Sequence, residues 1–145
     1  MTRQPEFGFP LDLTLAETDL RTLLYKVALQ VHEQLAARSV SVEVQVAPEL
    51  GGVVIDRLKV RRVLHELVEN ALAALPERGG QLGLRATPTA DGEGFLLEVA
   101  DNGSGVDAGL HLSRAVAEAH GGTFVVESEP SRGTYVQMRL PLYKA

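Results

Sequence analysis

The chain has 145 residues, a formal net charge of −5, 45% hydrophobic and 23% charged residues, and a mean hydropathy of +0.03. This length fits one α/β or α+β domain with a real core, and the acidic balance argues against a nucleic-acid surface, which needs a basic stripe. With no cysteine, disulfides, thiolate metal sites and cysteine nucleophiles are excluded. No apolar run reaches the length of a membrane span and the N-terminus has no signal-peptide layout, so a cytoplasmic location without membrane contact by this chain is expected.

Residues 1–10 (MTRQPEFGFP) contain two prolines and no periodicity. They read as a loose lead-in to a domain at 11–145. Leu11, Leu13 and Leu15 alternate with polar residues, a short strand signal. Thr18 is expected to cap a long helix from about Asp19 to Arg38, with the stripe Leu20, Leu23, Leu24, Val27, Val31 and Leu35. SVSVEVQV, residues 39–46, alternates as a half-buried strand.

After a break at Pro48–Gly52, Asp56 starts a second helix that reaches about Leu75 and stops before Pro76 and Gly79–Gly80. Leu82–Thr87 and Phe95–Ala100 read as strands joined by the turn ADGEG. A third helix spans about Leu110–His120, ending at Gly121–Gly122. Thr123–Glu127 and Tyr135–Leu140 form a closing hairpin around Ser131–Gly133. Three helices and about five hairpin-rich strands imply an α+β two-layer sandwich, with helices on one face of a mixed, mostly antiparallel sheet.

In RRVLHELVENALAAL the stripe Val60, Val63, Leu64, Leu67, Ala71 and Leu75 faces the core. Glu66 and Asn70, four apart, share a face with Arg62 one turn back. A carboxylate and a carboxamide stacked this way offer hard oxygen ligands to Mg²⁺ and can orient a water. Taken alone, such a pair is far more often a solvated helix face.

At the end of the Phe95–Ala100 strand comes DNGSGVDAGLHLS. Asp101 there can accept a hydrogen bond from an exocyclic amine, and Gly103 and Gly105 let the backbone approach a ring closely. By itself DxGxG is a weak signal that tight turns also produce.

Together and in this order the pieces resemble a known superfamily. HELVENALAAL resembles the N box of the GHKL ATPases, the superfamily of histidine kinases, gyrase, MutL and anti-sigma-factor kinases. VADNGSGV is similar to their first glycine box, GLHLSRAVAEAHGG to the segment after their nucleotide lid, and SRGTYVQMRLPL to their closing hairpin. The likeness covers roughly residues 11–142 and is strongest, through AVAEAHGG and the following hairpin, to the ATP-binding (CA) domain of sensor histidine kinases.

That resemblance implies ATP or ADP with Mg²⁺ as ligands. It assigns Asn70 to Mg²⁺ and the phosphates, Glu66 to the first N-box position, a water-activating Glu in hydrolytic members, and Asp101 to the adenine amino group. Gly103 and Gly105 would line the adenine pocket, Gly109 and His111 fall in the second glycine box, and Thr134 would sit near the base on the penultimate strand edge. His65 matches a His before the N-box Glu in some subfamilies, and is as readily an ordinary helix residue. A helical dimerisation domain carrying the phosphoacceptor His, and a response regulator, are the implied partners.

Departures from the family pattern concentrate on the phosphate half. Only Val106, Asp107 and Ala108 separate Gly105 from Gly109, where the family places an F box and a lid of tens of residues. The second glycine box, GxGLGL, reads Asp107-Ala108-Gly109-Leu110-His111-Leu112. Its first glycine is replaced by a carboxylate that opposes triphosphate and its third by a bulky imidazole, at a helix start that normally offers amides to phosphate. Ala73 and Ala74 stand where a helix cation is usual. Of His32, His65, His111 and His120, only His32-Glu33 is faintly similar to an H box, within the opening helix, so autophosphorylation by this chain alone is not expected.

The reading adopted is a kinase CA domain that donates phosphoryl to a His on a separate domain, with a degenerate module of weak or no nucleotide binding acting through protein contacts as the alternative; an anti-sigma-type Ser kinase fits less, because the C-terminal likeness runs towards histidine kinases.

Overall fold

The computed structural model describes residues 12–104, 110–130 and 132–142. Four α-helices pack on a mixed five-stranded sheet: α1 (Leu20–Gln30), α2 (His32–Ala37), α3 (Arg57–Ala74) and α4 (His111–Ala119). Strands β2 (Ser41–Val46), β4 (Gln81–Pro88), β5 (Gly94–Asp101), β6 (Thr123–Glu129) and β7 (Gly133–Pro141) run in the order β2-β4-β5-β7-β6. Only β2–β4 is parallel; the other ladders of this sheet are antiparallel. The α+β expectation therefore holds.

Three local expectations are corrected. The first strand described, β1, is Ala16–Asp19, and it pairs with β3 (Gly52–Ile55) in a separate two-stranded ladder; of the expected Leu11–Leu15 strand, Leu13 and Leu15 lie outside any strand and Leu11 falls outside the described residues. Asp19 rather than Thr18 caps α1, its carboxylate accepting the Thr22 N–H at 3.1 Å. Thr18 is occupied in β1, opposite Val53. The long first helix also breaks at Val31 (φ −112°, ψ 14°), whose N–H bonds back to Ala28 and Leu29. Val31 and Leu35 remain buried across the break, so the apolar stripe continues through it.

The core lies between the helices and one sheet face, filled by Leu20, Leu24, Val27, Leu64, Val68, Phe95, Leu97, Met138 and Leu140, all at most 2% exposed. On each central strand alternate residues face this core, the period-2 consequence of the pleat. On the opposite face the Tyr135 hydroxyl donates to Glu98 and accepts from Gln137 Nε2 at 2.8 Å.

Candidate functional site

Helix α3 carries the first half of the site. Asp56 is its N-cap: Oδ1 accepts the Lys59 N–H at 3.0 Å, and Oδ2 accepts the Thr14 N–H at 2.8 Å and lies 3.2 Å from Lys59 Nζ. Burial pushes this carboxyl up, but those donors and the Lys59 charge outweigh it and hold it below the usual value. Val60, Val63, Leu64, Leu67, Val68, Ala71 and Leu72 bury the inner stripe. Glu66 and Asn70 are left half-buried beside it. The C-terminal end is closed by Arg38, whose guanidinium donates to the carbonyls of Leu72 (2.7 Å), Leu75 (2.8 Å) and Pro76 (2.9 Å). These are the acceptors that a helix end leaves without an internal partner.

The second half comes from the sheet. The core-facing alternation of β5 runs Phe95, Leu97, Val99 and then Asp101; that of β7 runs Leu140, Met138, Val136 and then Thr134. Asp101 and Thr134 are direct partners in the ladder, and Thr134 in turn faces Ser128 of β6. Three polar side chains thus form one row where the apolar core ends. Burial raises the Asp101 carboxyl above its ordinary value, against the backbone N–H groups of Gly103 and Thr134, which favour its charge. Gly103 donates to Asp101 Oδ1 at 2.7 Å.

Two glycines permit this packing. A Cβ on Gly103 would stand 2.5 Å from the Ala74 carbonyl oxygen, an oxygen that accepts the Ser104 N–H at 2.9 Å. The loop after β5 is thereby held against the end of α3, one turn beyond Asn70. Gly133 has φ +109°, and a Cβ there would collide with the Asp101 carbonyl, so only glycine fits.

Helix α4 closes the third side. His111, its first residue, is exposed, whereas Ser113 is fully buried and donates its hydroxyl to Glu66 Oε1 at 3.1 Å. At the other end, buried His120 accepts the Asp56 N–H on Nε2 at 3.0 Å. The contacts Glu66–Ser113 and Asp56–His120 run in opposite chain directions, so α4 lies antiparallel to α3 and touches it at both ends.

Glu66 and Asn70 thus lie on α3, and Asp101, Gly103 and Thr134 stand at the end of β5 and β7. Thr134 is on the last strand of the chain and second from the edge of the sheet. Gly105, Gly109 and Asp107 lie outside the described residues. His65 Nε2 stands 3.9 Å from Glu69 Oε1 on a half-exposed surface, apart from the Glu66–Ser113 contact. Sequence reasoning missed Ser113, Ser128 and Arg38. A serine on the buried side of a helix was the one available signal.

Among the described residues no three His, Cys, Asp or Glu side chains group to hold a metal. The donor set fits a Mg²⁺ that takes one or two protein oxygens, from Asn70 or Glu66, and the rest from phosphates and water.

A family model described as histidine kinase-, DNA gyrase B- and HSP90-like ATPase matches residues 55–144. The alginate biosynthesis sensor protein KinB of Pseudomonas aeruginosa is 32% identical over 152 residues; the match covers 90% of this chain and 25% of KinB. The chain thus spans about a quarter of the length of that relative. Among solved structures, the catalytic domain of histidine kinase ThkA superposes with a TM-score of 0.79 at 19% identity, over 90% of this chain and 97% of that one. Full-length ShkA in complex with AMPPNP gives 0.82 at 24% identity, over 93% of this chain and 32% of that one.

Proposed function

Since this chain belongs to the family of histidine kinase-, DNA gyrase B- and HSP90-like ATPases, we propose that it is the nucleotide-binding domain of a sensor histidine kinase, taking adenine nucleotide in the cleft between α3, α4 and the ends of β5 and β7. The observation that carries this reading is the Asp101–Thr134 ladder pair, two polar groups where the otherwise apolar faces of β5 and β7 end. Asp101 accepts from the exocyclic amine of the base, and the Thr134 hydroxyl meets the neighbouring ring nitrogen. Gly103 keeps the loop close enough for the ring to pack. The AMPPNP bound by the structurally similar ShkA supports the ligand class.

Asn70, with Glu66, faces the phosphates and would hold Mg²⁺ through them. When bound, the metal would neutralise charge on the β- and γ-phosphates. In the transfer itself the bond from the γ-phosphorus of ATP to its β–γ bridging oxygen breaks, ADP departs with that electron pair, and the phosphoryl group bonds to an unprotonated imidazole nitrogen of a His on a separate helical domain, from which a response regulator receives it. Positioning and charge stabilisation supply most of the catalysis in such a step.

A second reading, a module whose nucleotide binding is weak and which acts through protein contacts, is favoured by two observations. The glycine box carries Asp107 and His111 in place of glycines, and one Glu66 oxygen is engaged by Ser113.

Calorimetric titration with ADP and ATP, each with and without Mg²⁺, separates the two. Binding of ADP that Asp101→Asn weakens supports the nucleotide site. Absence of any nucleotide binding in the unmodified chain leaves only the second reading.

A further inference from the structure

The start of α3 is the basic end of an acidic chain: Arg57, Lys59, Arg61 and Arg62 all fall within residues 57–62. Lys59 is engaged by Asp56 at 3.2 Å. Arg57 and Arg61, four apart and so on one face of the helix, make no ion pair among the described residues, and neither does Lys26 of α1. These three cations border a groove of about 160 Å³ between the two helices. Buried Leu23 forms its base, and Leu58, 77% exposed, its wall. Thr22, Lys26 and Leu29 follow one another at helical spacing, so Leu29, 70% exposed, continues the same side of α1 one turn further.

Two carboxylates also border the groove. Asp19 accepts the Thr22 N–H as the cap of α1, and Glu17 lies over Gly52 of β3, its Oε1 3.4 Å from where a Cβ on that glycine would stand. Neither pairs with the three cations. Isolated exposed leucines are ordinary on any protein. Leu58 instead adjoins a concave apolar base ringed by unpaired positive charge, the make-up of an interface anchor with a polar rim. A cavity of about 150 Å³ holds one small ring, so the recess takes a single apolar side chain. A lipid surface is flat and anionic; it would leave the recess unfilled and set Glu17 and Asp19 against like charge.

We propose that the groove between α1 and α3 docks a protein partner through an acidic amphipathic helix, with one apolar side chain seated on Leu23 and Leu58 and carboxylates facing Lys26, Arg57 and Arg61. A helix in a groove supplies that arrangement, because residues three and four positions from the anchor share its face. The groove stands at the start of α3, whereas Asn70 and the Gly103 contact with Ala74 lie towards its end. The inference is therefore independent of the nucleotide site.

The probe is a synthetic helical peptide with one Leu flanked by Glu at those spacings, and its counterpart carries Lys in place of Glu. Fluorescence anisotropy measures both against the full chain, against Arg57→Glu combined with Arg61→Glu, against Leu58→Ala and against Arg78→Glu. Arg78 is an exposed cation past the far end of α3 and controls for bulk charge. None of the four side chains is buried, so the fold should survive each change, and circular dichroism verifies it.

The Glu peptide is expected to bind and the Lys peptide not. The double charge reversal should weaken the Glu peptide about tenfold and flatten its salt dependence. Leu58→Ala should weaken it about three- to tenfold, and Arg78→Glu by less than about twofold. The inference fails if the Glu peptide does not bind, if Arg78→Glu weakens it as much as the double reversal, or if Leu58→Ala changes nothing. Two further results would give the groove to another occupant and overturn it as well. One is binding to phosphatidylglycerol vesicles that the double reversal abolishes, with no binding of the Glu peptide. The other is a concentration-dependent dimer in analytical ultracentrifugation that Leu58→Ala dissolves.

Discussion

The Nε2 atom of His120 accepts the backbone N–H of Asp56 at 3.0 Å, and its Nδ1 lies 2.8 Å from the Val116 carbonyl oxygen. The two bonds together require a neutral ring protonated on Nδ1. A second proton on Nε2 would face an N–H donor. Burial accordingly holds His120 below the ordinary imidazole value of 6.5, with the Lys59 charge adding to it; the Val116 carbonyl and the Asp56 carboxylate pull the other way.

The unfolded chain takes up a proton near pH 6.5 that the folded chain refuses, so stability should fall as pH drops below that value, by up to about 1.4 kcal/mol per pH unit. Asp56, whose carboxyl is depressed, loses its contribution only in the more acidic carboxylate range, so the two windows separate. Urea unfolding across this range should show the slope, and His120→Gln should flatten it. We expect His120→Ala to cost about 2–4 kcal/mol at neutral pH, through an orphaned N–H and a small cavity.

Arg38 reaches three carbonyls at the end of α3. Arg38→Ala should lower stability by about 1.5–3 kcal/mol, the range for hydrogen bonds to a charged group. Arg38→Lys should restore only part of it, because an ammonium lacks the planar fork that serves several acceptors at once. Thermal melts of the two variants give the comparison.

Asp101 carries opposing roles. Its carboxyl is raised by burial, so folding is favoured when it is protonated and that contribution disappears as pH rises through its folded value. Asp101→Asn removes the buried charge and should leave the melting temperature no lower than that of the parent at neutral pH. If adenine is bound, the same change should weaken it by about 1.5–3 kcal/mol. Unchanged affinity would mean that Asp101 does not read the base.

The phosphate half should be weak. ATP is expected to bind no more tightly than ADP, with little help from Mg²⁺ and negligible turnover, the outcome for a site that the short Gly105–Gly109 spacing leaves without a cover against water in the reading proposed above. His111→Gly together with Asp107→Gly should improve triphosphate affinity by relieving bulk and repulsion. A fall instead would make a protonated His111 a phosphate ligand. Robust hydrolysis abolished by Glu66→Ala would refute the weak-site reading.

Tyr135 offers a spectroscopic check on the open sheet face. Burial and the neighbouring Glu98 push its phenol up to about 12. Ultraviolet titration should find one tyrosine ionising well above the ordinary value of about 10, and Glu98→Gln should bring it down.

Much of this was legible in the residue order. The stretches Phe95–Ala100 and Tyr135–Leu140 marked the two central strands, with Asp101 just beyond the first, and the Asp56 cap and Pro76 bounded α3 closely. The rest depended on contacts between distant segments. Val31 leaves helical geometry without interrupting the buried stripe, so periodicity could not show the break. Val53–Ile55 carried no strand assignment between the Pro48–Gly52 break and Asp56, because its partner is β1, far back in the chain. Arg38, Ser113 and Ser128 act on residues 34, 47 and 6 positions away respectively, and nothing local to any of them announces its partner.

The place of β7 in the sheet also governs how the molecule can assemble. This strand, synthesised after every other strand described here, lies between β5 and β6 and pairs positions 94–101 with 134–141. Until it arrives, β5 has one unpaired edge and no cover for its share of the core, the kind of exposed strand that invites pairing with another chain. Closing the centre of the sheet late, across some forty residues, gives the domain a high contact order and hence slow folding. The Asp101–Thr134 pair forms only with the β5–β7 ladder, so the base site proposed above would appear only once that ladder has closed.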